Sequence, residues 1–322
     1  MIALPPIGFS CLKDFERQGA AAWKGIHLDK TIPRTASTAA QVIGTATHAC
    51  ALEGREALDK ICCVLPGGEW ESDDRRLARE LALGLEGFHR LAEPINRRTK
   101  DGKAAWLAEL EAAGSKPIVL NSEIERLAPL TAAYVAAAGR MILSAGDFEM
   151  VLRMGLAVRE CPEAMGLIET AAVETELAAE MEVETTAGPV TIAVRGRLDV
   201  AGRGYVADLK SAEDLTPAVF DRSIINYEYH RQLAYYSALR VLSGDDTPHE
   251  PDDTAFIIGV EKPATPHHPV RVEVISIPDA LLEIGMRANM ISLANLVGCY
   301  QSDSWGSAVR GVRLLRMPGW IA

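Results

Sequence analysis

Residues 195–212 read RGRLDVAGRGYVADLKSA and decide the fold of the second half of the chain. The preceding VTIAV, residues 190–194, is β-branched and alternating, which predicts a strand that continues to Asp199. The glycines of residues 201–204 predict a turn, and residues 205–210 predict the returning strand. This stretch therefore predicts a tight β-hairpin.

The hairpin is expected to gather two carboxylates and one amine. Residues two apart in a strand point to the same face, so Asp208 and Lys210 share a face while Leu209 points to the core. The turn returns Asp199 beside them. Mg²⁺ takes hard oxygen ligands, so Asp199 and Asp208 are candidate metal ligands and the Leu209 carbonyl is a third. Lys210 is placed to orient or deprotonate a metal-bound water and to offset charge on a phosphate.

The same residues resemble the D…D-x-K pattern of the PD-(D/E)xK nucleases, with Leu198 where the motif has proline. A D-x-K tripeptide alone is weak evidence, because a surface ion pair on a hairpin has the same pattern. The following YEYHRQLAYYSAL strengthens the resemblance, since Gln232 and Tyr236 share one helical face. This Q-x-x-x-Y spacing is similar to that of the RecB-like branch, in which the two residues lie beside the active site and contact DNA.

A histidine in the first half of the chain is a further candidate ligand. His48 follows Gly44 by four residues in GTATHACALEG, a stretch with helical spacing. Taken alone, a helical histidine is more often a satisfied core or surface group, and neutral imidazole suits Mn²⁺ better than Mg²⁺. The sequence therefore predicts Mg²⁺ as the cofactor and leaves Mn²⁺ open.

Taken together, these motifs resemble the nuclease domain of the RecE family (exonuclease VIII) in order and spacing. PINRRTKDGKAAW (residues 94–106) and the closing LLRMPGW (residues 314–320) are similar to segments of that family, and the resemblance spans about residues 10–320. It implies His48 as a metal ligand and catalytic roles for Asp199, Asp208, Lys210, Gln232 and Tyr236.

The resemblance also implies an activity and its setting. RecE-type enzymes are processive exonucleases that degrade one strand of a double-stranded DNA end from 5′ to 3′ and leave a 3′ overhang for recombination. They form homo-oligomeric rings and work with a single-strand annealing protein. They are products of bacteria, phages or prophages, so we expect a cytoplasmic location and no membrane partner.

Other charged residues are weaker candidates. Glu174 is a possible further ligand from a run of alternating glutamates that also fits a solvated strand face. Arg97, Arg98, Arg197 and Arg231 are candidates for DNA binding, because guanidinium groups bind phosphate oxygens in pairs. The net charge of −11 argues against a uniformly basic surface, but a basic groove can exist on an acidic protein.

Composition excludes several classes. The 322 residues are 48% hydrophobic and 24% charged, an ordinary globular balance, and no apolar run has membrane-spanning length. The amino terminus has no basic start and no long apolar stretch, which argues against a secretory signal. The six cysteines show no C-x-x-C spacing, and only Cys299 lies near the carboxyl terminus, which argues against an iron–sulfur cluster.

We therefore predict an α/β fold with a PD-(D/E)xK, restriction-endonuclease-like core, a central mixed sheet flanked by helices, and a helical amino-terminal part. Residues 1–322 are predicted to form a single exonuclease domain, with about 1–165 mainly helical and carrying His48, and about 166–322 forming the catalytic core. The patterns predict helices over about 38–57, 71–90, 104–113, 121–159 (with a break near 146), 216 onward, 226–242 and 280–297, and strands over 255–260 and 270–277.

Two alternatives remain open at this point. The same fold could act on single-stranded DNA or RNA, or cut internally as an endonuclease. The chain could also be an inactive DNA-binding or assembly subunit. The sequence shows neither the oligomeric state nor a requirement for a 5′ phosphate.

Overall fold

The computed structural model describes residues 4–34, 37–64, 70–137, 139–244, 254–265 and 267–306. The chain divides into two compact units, one formed by Met1–Glu53 with Arg153–Ala322 and the other by Gly54–Leu152. The single-domain organisation stays a prediction. The motif at residues 314–320 lies outside the described residues.

Helices and strands are numbered along the chain. Their bounds are α1 Phe9–Gln18, α2 Ala20–Trp23, α3 Ala39–His48, α4 Arg55–Ile61, β1 Cys62–Val64, α5 Ser72–Leu83, β2 His89–Leu91, α6 Lys100–Ala113, β3 Ile118–Leu120, α7 Asn121–Ala137, β4 Met141–Leu143, α8 Ala145–Glu160, α9 Pro162–Ile168, β5 Ala172–Thr185, β6 Gly188–Gly202, β7 Tyr205–Ala212, α10 Pro217–Asn226, α11 Tyr229–Leu242, β8 Thr254–Glu261, β9 Val272–Ile277 and α12 Asp279–Ser302.

A mixed five-stranded sheet is the framework of the larger unit in its described residues. Its strands lie in the order β5-β6-β7-β8-β9, and the β7–β8 pair is parallel while the other pairs are antiparallel. A parallel pair needs a crossover connection, and α10 and α11 supply it between β7 and β8. The sheet confirms the predicted central mixed sheet, and α11 lies in the crossover that follows the strand carrying Asp208 and Lys210.

Helices cover the sheet and form its hydrophobic core. Helix α11 packs on β5, β6, β7 and β8 and on α12, while α3 contacts β7 and α9 contacts β6 and β9. The core side chains are apolar and nearly all fully buried, among them Leu198, Val206, Phe220, Leu233, Leu239 and Leu296. Each fully buried aliphatic or aromatic side chain stabilises the fold by about 1.5–3 kcal/mol.

The beginning of α3 is fixed by a reciprocal cap. The Gln41 backbone N–H donates to the Thr38 hydroxyl at 3.2 Å, and the Thr38 N–H donates to the Gln41 side chain at 2.8 Å. This arrangement satisfies two backbone donors that a helix start otherwise leaves unpaired. The last residue of this helix, His48, lies beside Asp199 on β6, with Nδ1 3.3 Å from Oδ2.

The smaller unit, Gly54–Leu152, contains short strands that periodicity did not predict. Strand β1 pairs with β4 and β2 pairs with β3, both in parallel, and each strand has three residues. Three residues are too few to show an alternating pattern. A separate apolar cluster, made by Ala78, Leu81, Val119, Leu127 and Leu130, holds this unit together.

Three predicted helices end earlier or begin later than the patterns indicated. The helix expected over 71–90 ends at Leu83, before Gly84 at φ +140°. The one expected over 121–159 breaks around Gly139 at φ +85°, and not near residue 146 as predicted, because Gly146 lies inside α8. Positive φ values stop a right-handed helix and favour glycine. The helix expected from residue 226 begins at Tyr229, because Glu228 has a left-handed conformation. None of the helices in the described ranges is long and apolar enough to cross a membrane.

Candidate metal centre and active site

The two aspartates of the hairpin face each other where β6 and β7 separate. The ladder pairs Gly202 with Tyr205 and Val200 with Ala207, and one step further along the same register Asp199 lies opposite Asp208. There the backbone pairing stops, and the Leu209 N–H donates instead to Asp199 Oδ2 at 2.8 Å. Asp199 and Asp208 are 8% and 1% exposed. Two carboxylates are thus buried side by side.

Lys210 lies on the same face as Asp208 and forms an ion pair with it. Burial by itself lowers the pKa of the Lys210 ammonium, but Asp208 and Asp199 outweigh burial and raise it. Lys210 therefore keeps its proton. Burial raises the pKa of Asp208 to about 6, opposed by Lys210 and reinforced by Asp199. Asp208 Oδ2 is buried and forms the ion pair with the Lys210 ammonium. Among the described residues, it has no other hydrogen-bond partner.

His48 and Glu174 complete the cluster around Asp199. One ligand atom from each of the three residues lies within 4.8 Å of the other two, and His48 Nδ1 is 3.3 Å from Asp199 Oδ2. Burial opposes the positive charge on His48, but Asp199 raises the pKa of the imidazole above its usual value. Burial also raises the pKa of Asp199, yet His48 and then Lys210 hold it below its usual value.

Glu174 reaches the cluster through a distortion of β5. Thr175 pairs with Leu198 and Val173 with Val200, while Glu174 between them has a left-handed φ of +51°. This conformation is costly for a residue with a side chain, by about 1–3 kcal/mol. Burial, and then the proximity of Asp199, raise the pKa of Glu174. The other glutamates of the run, Glu176, Glu180, Glu182 and Glu184, are exposed along the strand.

The donor set fits a divalent cation. Three carboxylates and an imidazole lie beside one ammonium, so the cluster carries excess negative charge in a buried place. Burial, and then the neighbouring Asp199 carboxylate, raise the pKa of Glu174 and of Asp208. Oxygen ligands suit Mg²⁺ and Mn²⁺, and the imidazole favours Mn²⁺. The residues that would hold the ion are His48, Glu174, Asp199 and Asp208, with the Leu209 carbonyl as the further predicted ligand.

The Q-x-x-x-Y pair lies at the cluster. Gln232 Nε2 donates to Asp208 Oδ1 at 3.0 Å and to the Tyr236 hydroxyl at 3.2 Å. Burial, and then Asp208, raise the pKa of Tyr236 to about 12. Gln232 therefore orients Asp208, and Tyr236 keeps its proton at neutral pH.

Two of the four predicted DNA-binding arginines belong to the larger unit and have different environments. Arg197 is largely exposed, forms an ion pair with Glu174 and lines a cleft of about 500 Å³ with Arg195 and Tyr236. Arg231 is buried, and its guanidinium contacts Glu16 at 2.6 and 2.7 Å. The prediction that Arg231 binds DNA is corrected on this ground, because its donors are already committed inside the protein.

The other two arginines lie in the smaller unit, where both are exposed. The Arg97 guanidinium lies 4.0 Å from the centre of the Trp106 ring. The Arg98 backbone N–H donates to the Asn96 side chain at 3.0 Å. Their proposed phosphate contacts stay predictions.

The sequence did not single out the tyrosines beside the cluster. A cleft of about 760 Å³ is lined by His48 and Lys210 and also by Lys13, Tyr227 and Tyr229. The only signal was the Y-x-Y spacing just before the glutamine, which reads equally well as core aromatics.

Comparisons with known proteins place this geometry in a fold class. Residues 164–316 match the family DUF3799, described as a "PDDEXK-like domain of unknown function". A solved structure from Eubacterium rectale named "Putative exonuclease" is similar over 97% of this chain and 90% of that chain, with a TM-score of 0.54 and 13% identity. A structure named SSO0001 is 13% identical over 74% of this chain and 93% of that one, but its TM-score of 0.26 is too low to indicate a shared fold. No curated protein matches the chain significantly. The fold is therefore α/β and PDDEXK-like, with a mixed sheet flanked by helices.

Proposed function

We propose that the protein is a divalent-metal-dependent nuclease that degrades linear double-stranded DNA from its ends. The observation that carries the proposal is the convergence of Asp199, Asp208 and Lys210 with His48 and Glu174 in one buried cluster at the edge of a cleft. A surface ion pair, the alternative for the hairpin motif, would have no need of buried carboxylates with raised pKa values.

Each side chain of the cluster has a separate role in the proposed reaction. A divalent cation, when bound, would polarise a phosphate oxygen and lower the pKa of a bound water. In the metal-free site Asp208 and Asp199 raise the pKa of Lys210, and its ammonium is placed to stabilise negative charge on the phosphate. Gln232 fixes the orientation of Asp208 by its hydrogen bond. Tyr236 stays protonated and is able to donate a hydrogen bond at the same edge.

The finer assignment rests on the RecE-type resemblance and on the name of the E. rectale structure. We propose 5′ to 3′ degradation that leaves a 3′ overhang, a homo-oligomeric ring, a single-strand annealing protein as partner, and a phage or prophage origin. Mg²⁺ is the proposed cofactor, with Mn²⁺ as the alternative.

A time course on linear duplex DNA, labelled separately at each 5′ and 3′ end, tests the activity and the polarity together. We expect release of the 5′ label first, with Mg²⁺ or Mn²⁺ and not with EDTA, while a closed circle stays intact. A circle cut at a comparable rate would indicate an endonuclease. DNA binding without metal-dependent cleavage would indicate a binding subunit.

Variants assign the chemistry to the cluster. Asp208→Ala and Lys210→Ala should abolish cleavage while the protein stays folded by circular dichroism. Asp221→Asn, at an exposed carboxylate on α10, is the matched control and should cleave as the wild type does. Wild-type cleavage by either cluster variant would contradict the proposed mechanism.

A further inference from the structure

Two stacked tyrosines form part of the wall of the cleft beside the cluster. The Tyr227 and Tyr229 rings lie 5.8 Å apart between centroids, at an angle of 27°. Tyr227 is 54% exposed, so part of its ring is open to a ligand. Exposed aromatic faces of this kind are what nucleobases stack on.

The stacking depends on a strained turn between α10 and α11. Glu228, which separates the two tyrosines, has φ +63° and ψ +31°, a left-handed conformation that a glutamate adopts only when its surroundings impose it. Arg231 contacts the Glu228 carboxylate at 2.8 Å, and Lys13 donates to the Tyr227 carbonyl at 2.7 Å. The protein thus holds the turn from both sides, and the turn sets the rings side by side.

The tyrosine pair lies close to the candidate catalytic lysine, Lys210. Lys210 Nζ is 4.9 Å from the centre of the Tyr229 ring, and both tyrosines line the cleft of about 760 Å³ that contains His48. Burial raises the pKa of Tyr229, so this phenol stays neutral at physiological pH. The cleft volume is in the range of pockets that hold one small molecule, about 300–1,000 Å³, and thus suits a single nucleotide.

Charge in the cleft also suits a nucleic-acid strand. Its lining carries the cations Lys13, Arg17, Lys210 and Lys262. Lys210 and Lys262 pair with Asp208 and Glu213, while Arg17 is 54% exposed and 3.9 Å from Glu228. Local cations attract phosphate even when the whole protein is acidic, because interactions beyond about 8–10 Å are screened at physiological salt.

We propose that Tyr227 and Tyr229 form a stacking subsite for an unpaired nucleobase next to the phosphate that is cleaved. The inference rests on the proposed nuclease function and refines its substrate. The terminal base of a duplex has a free outer face, but a cleft whose volume suits a single nucleotide favours one that has left the duplex over a base pair. The enzyme would therefore separate the terminal nucleotide before cleavage, with little preference among bases, because every base offers an aromatic face.

Binding in EDTA separates this inference from the activity. The probe is a single-stranded oligonucleotide with 2-aminopurine at its terminal position, whose fluorescence is quenched by stacking. We expect wild type and Tyr227→Phe to quench it. Tyr227→Ala should quench less and bind about 5- to 150-fold more weakly, the factor that corresponds to losing about 1–3 kcal/mol of base stacking. Tyr227 is the test residue because its exposure makes the substitution harmless to the core.

Ile225→Ala is the matched control. Ile225 is 47% exposed on α10 and does not line the cleft, so its loss should change neither quenching nor affinity. Tyr227→Ala that quenches and binds like the wild type would overturn the stacking subsite. Metal-dependent cleavage by the wild type is measured in parallel, so that its absence with every DNA would overturn the proposed function and leave the binding result to be judged separately.

Discussion

Arg231 provides the sharpest test of the structure against the sequence pattern, because the two assign it opposite roles. The sequence pattern predicted that Arg231, which neighbours Gln232, binds DNA through its guanidinium group. In the structure its guanidinium contacts Glu16 twice and Glu228 at 2.8 Å, and its Nε donates to Asn289 at 3.0 Å. The substitution Arg231→Met keeps much of the volume and removes every one of these donors.

The expected magnitude follows from burial. The side chains of Arg231, Glu16 and Glu228 are 10%, 26% and 23% exposed, so removing the cation leaves two poorly solvated carboxylates uncompensated. Breaking a buried ion pair in this way costs about 3–5 kcal/mol, and the partial exposure of the glutamates favours the lower end. For a unit of roughly 200 residues, each kcal/mol lowers the Tm by about 2–4 °C, so a loss of about 3 kcal/mol predicts a decrease of about 6–12 °C.

The assay compares thermal and urea unfolding of wild type and Arg231→Met across pH. Burial raises the pKa of Glu16, but Arg231 and Ser292 outweigh it and hold the pKa below its usual value. A depressed pKa contributes stability above the unfolded value that is lost as the pH falls through the folded one. The gap between the two proteins should therefore narrow below about pH 4, near the ordinary pKa of glutamate.

DNA affinity supplies the decisive comparison. At a temperature where both proteins are folded, Arg231→Met should keep the wild-type salt slope of DNA binding, because no phosphate contact is lost, while its affinity falls only as far as the turn at Glu228 loosens the tyrosine pair. Arg197→Ala, which removes an exposed guanidinium beside Glu174, should bind more weakly and with a salt slope reduced by about one. An Arg231→Met protein of wild-type stability that has lost DNA binding would refute the structural role.

The remaining predictions concern the cluster and its surroundings. Metal at about 100 times its Kd should raise the stability of EDTA-treated protein by about 2.7 kcal/mol in a thermal scan, and Asp199→Asn should remove most of that gain. Burial raises the pKa of Asp208 to about 6 in the metal-free fold, so the folded protein binds this proton more tightly than the unfolded chain does. The stability contributed by this proton is complete at low pH and is lost as the pH rises from about 4 to about 6. Asp208→Asn should therefore gain stability relative to wild type over that interval in EDTA. Gly196→Ala would place a Cβ 2.8 Å from Leu239 and 3.0 Å from Tyr236, so we expect a loss of about 1–3 kcal/mol in urea unfolding and slower cleavage.

Most of the larger unit could be predicted from the sequence because its patterns are long. Strand alternation and the glycines of the turn predicted the hairpin, and the apolar run of β8 and the alternation of β9 predicted two further strands. The sequence also predicted that Asp208 and Lys210 share a face, since that depends only on the two-residue period of a strand.

The site residues outside the hairpin needed information that local patterns do not carry. His48 joins Asp199 across more than 150 residues of chain, and only the family resemblance indicated it. Arg231 was predicted to bind DNA because a guanidinium group suits phosphate and the residue flanks the predicted metal site in sequence. Adjacent helix residues point in different directions, however, so Gln232 faces Asp208 while Arg231 faces Asn289 on α12.

The places where local patterns failed share a physical cause. Among the described residues, the non-glycine residues with left-handed backbones are Lys30, Glu174, Glu228 and Asp303. Two of the four adjoin the site: Glu174 turns out of its strand toward Asp199, and Glu228 sets the tyrosines side by side. Sequence rules describe the unstrained conformation, so they place Glu174 on a solvated face and continue a helix through Glu228. Strain persists only where surrounding contacts impose it, and functional sites are where it concentrates. The departures at Glu174 and Glu228 therefore mark the candidate site as a place where surrounding contacts impose a strained backbone.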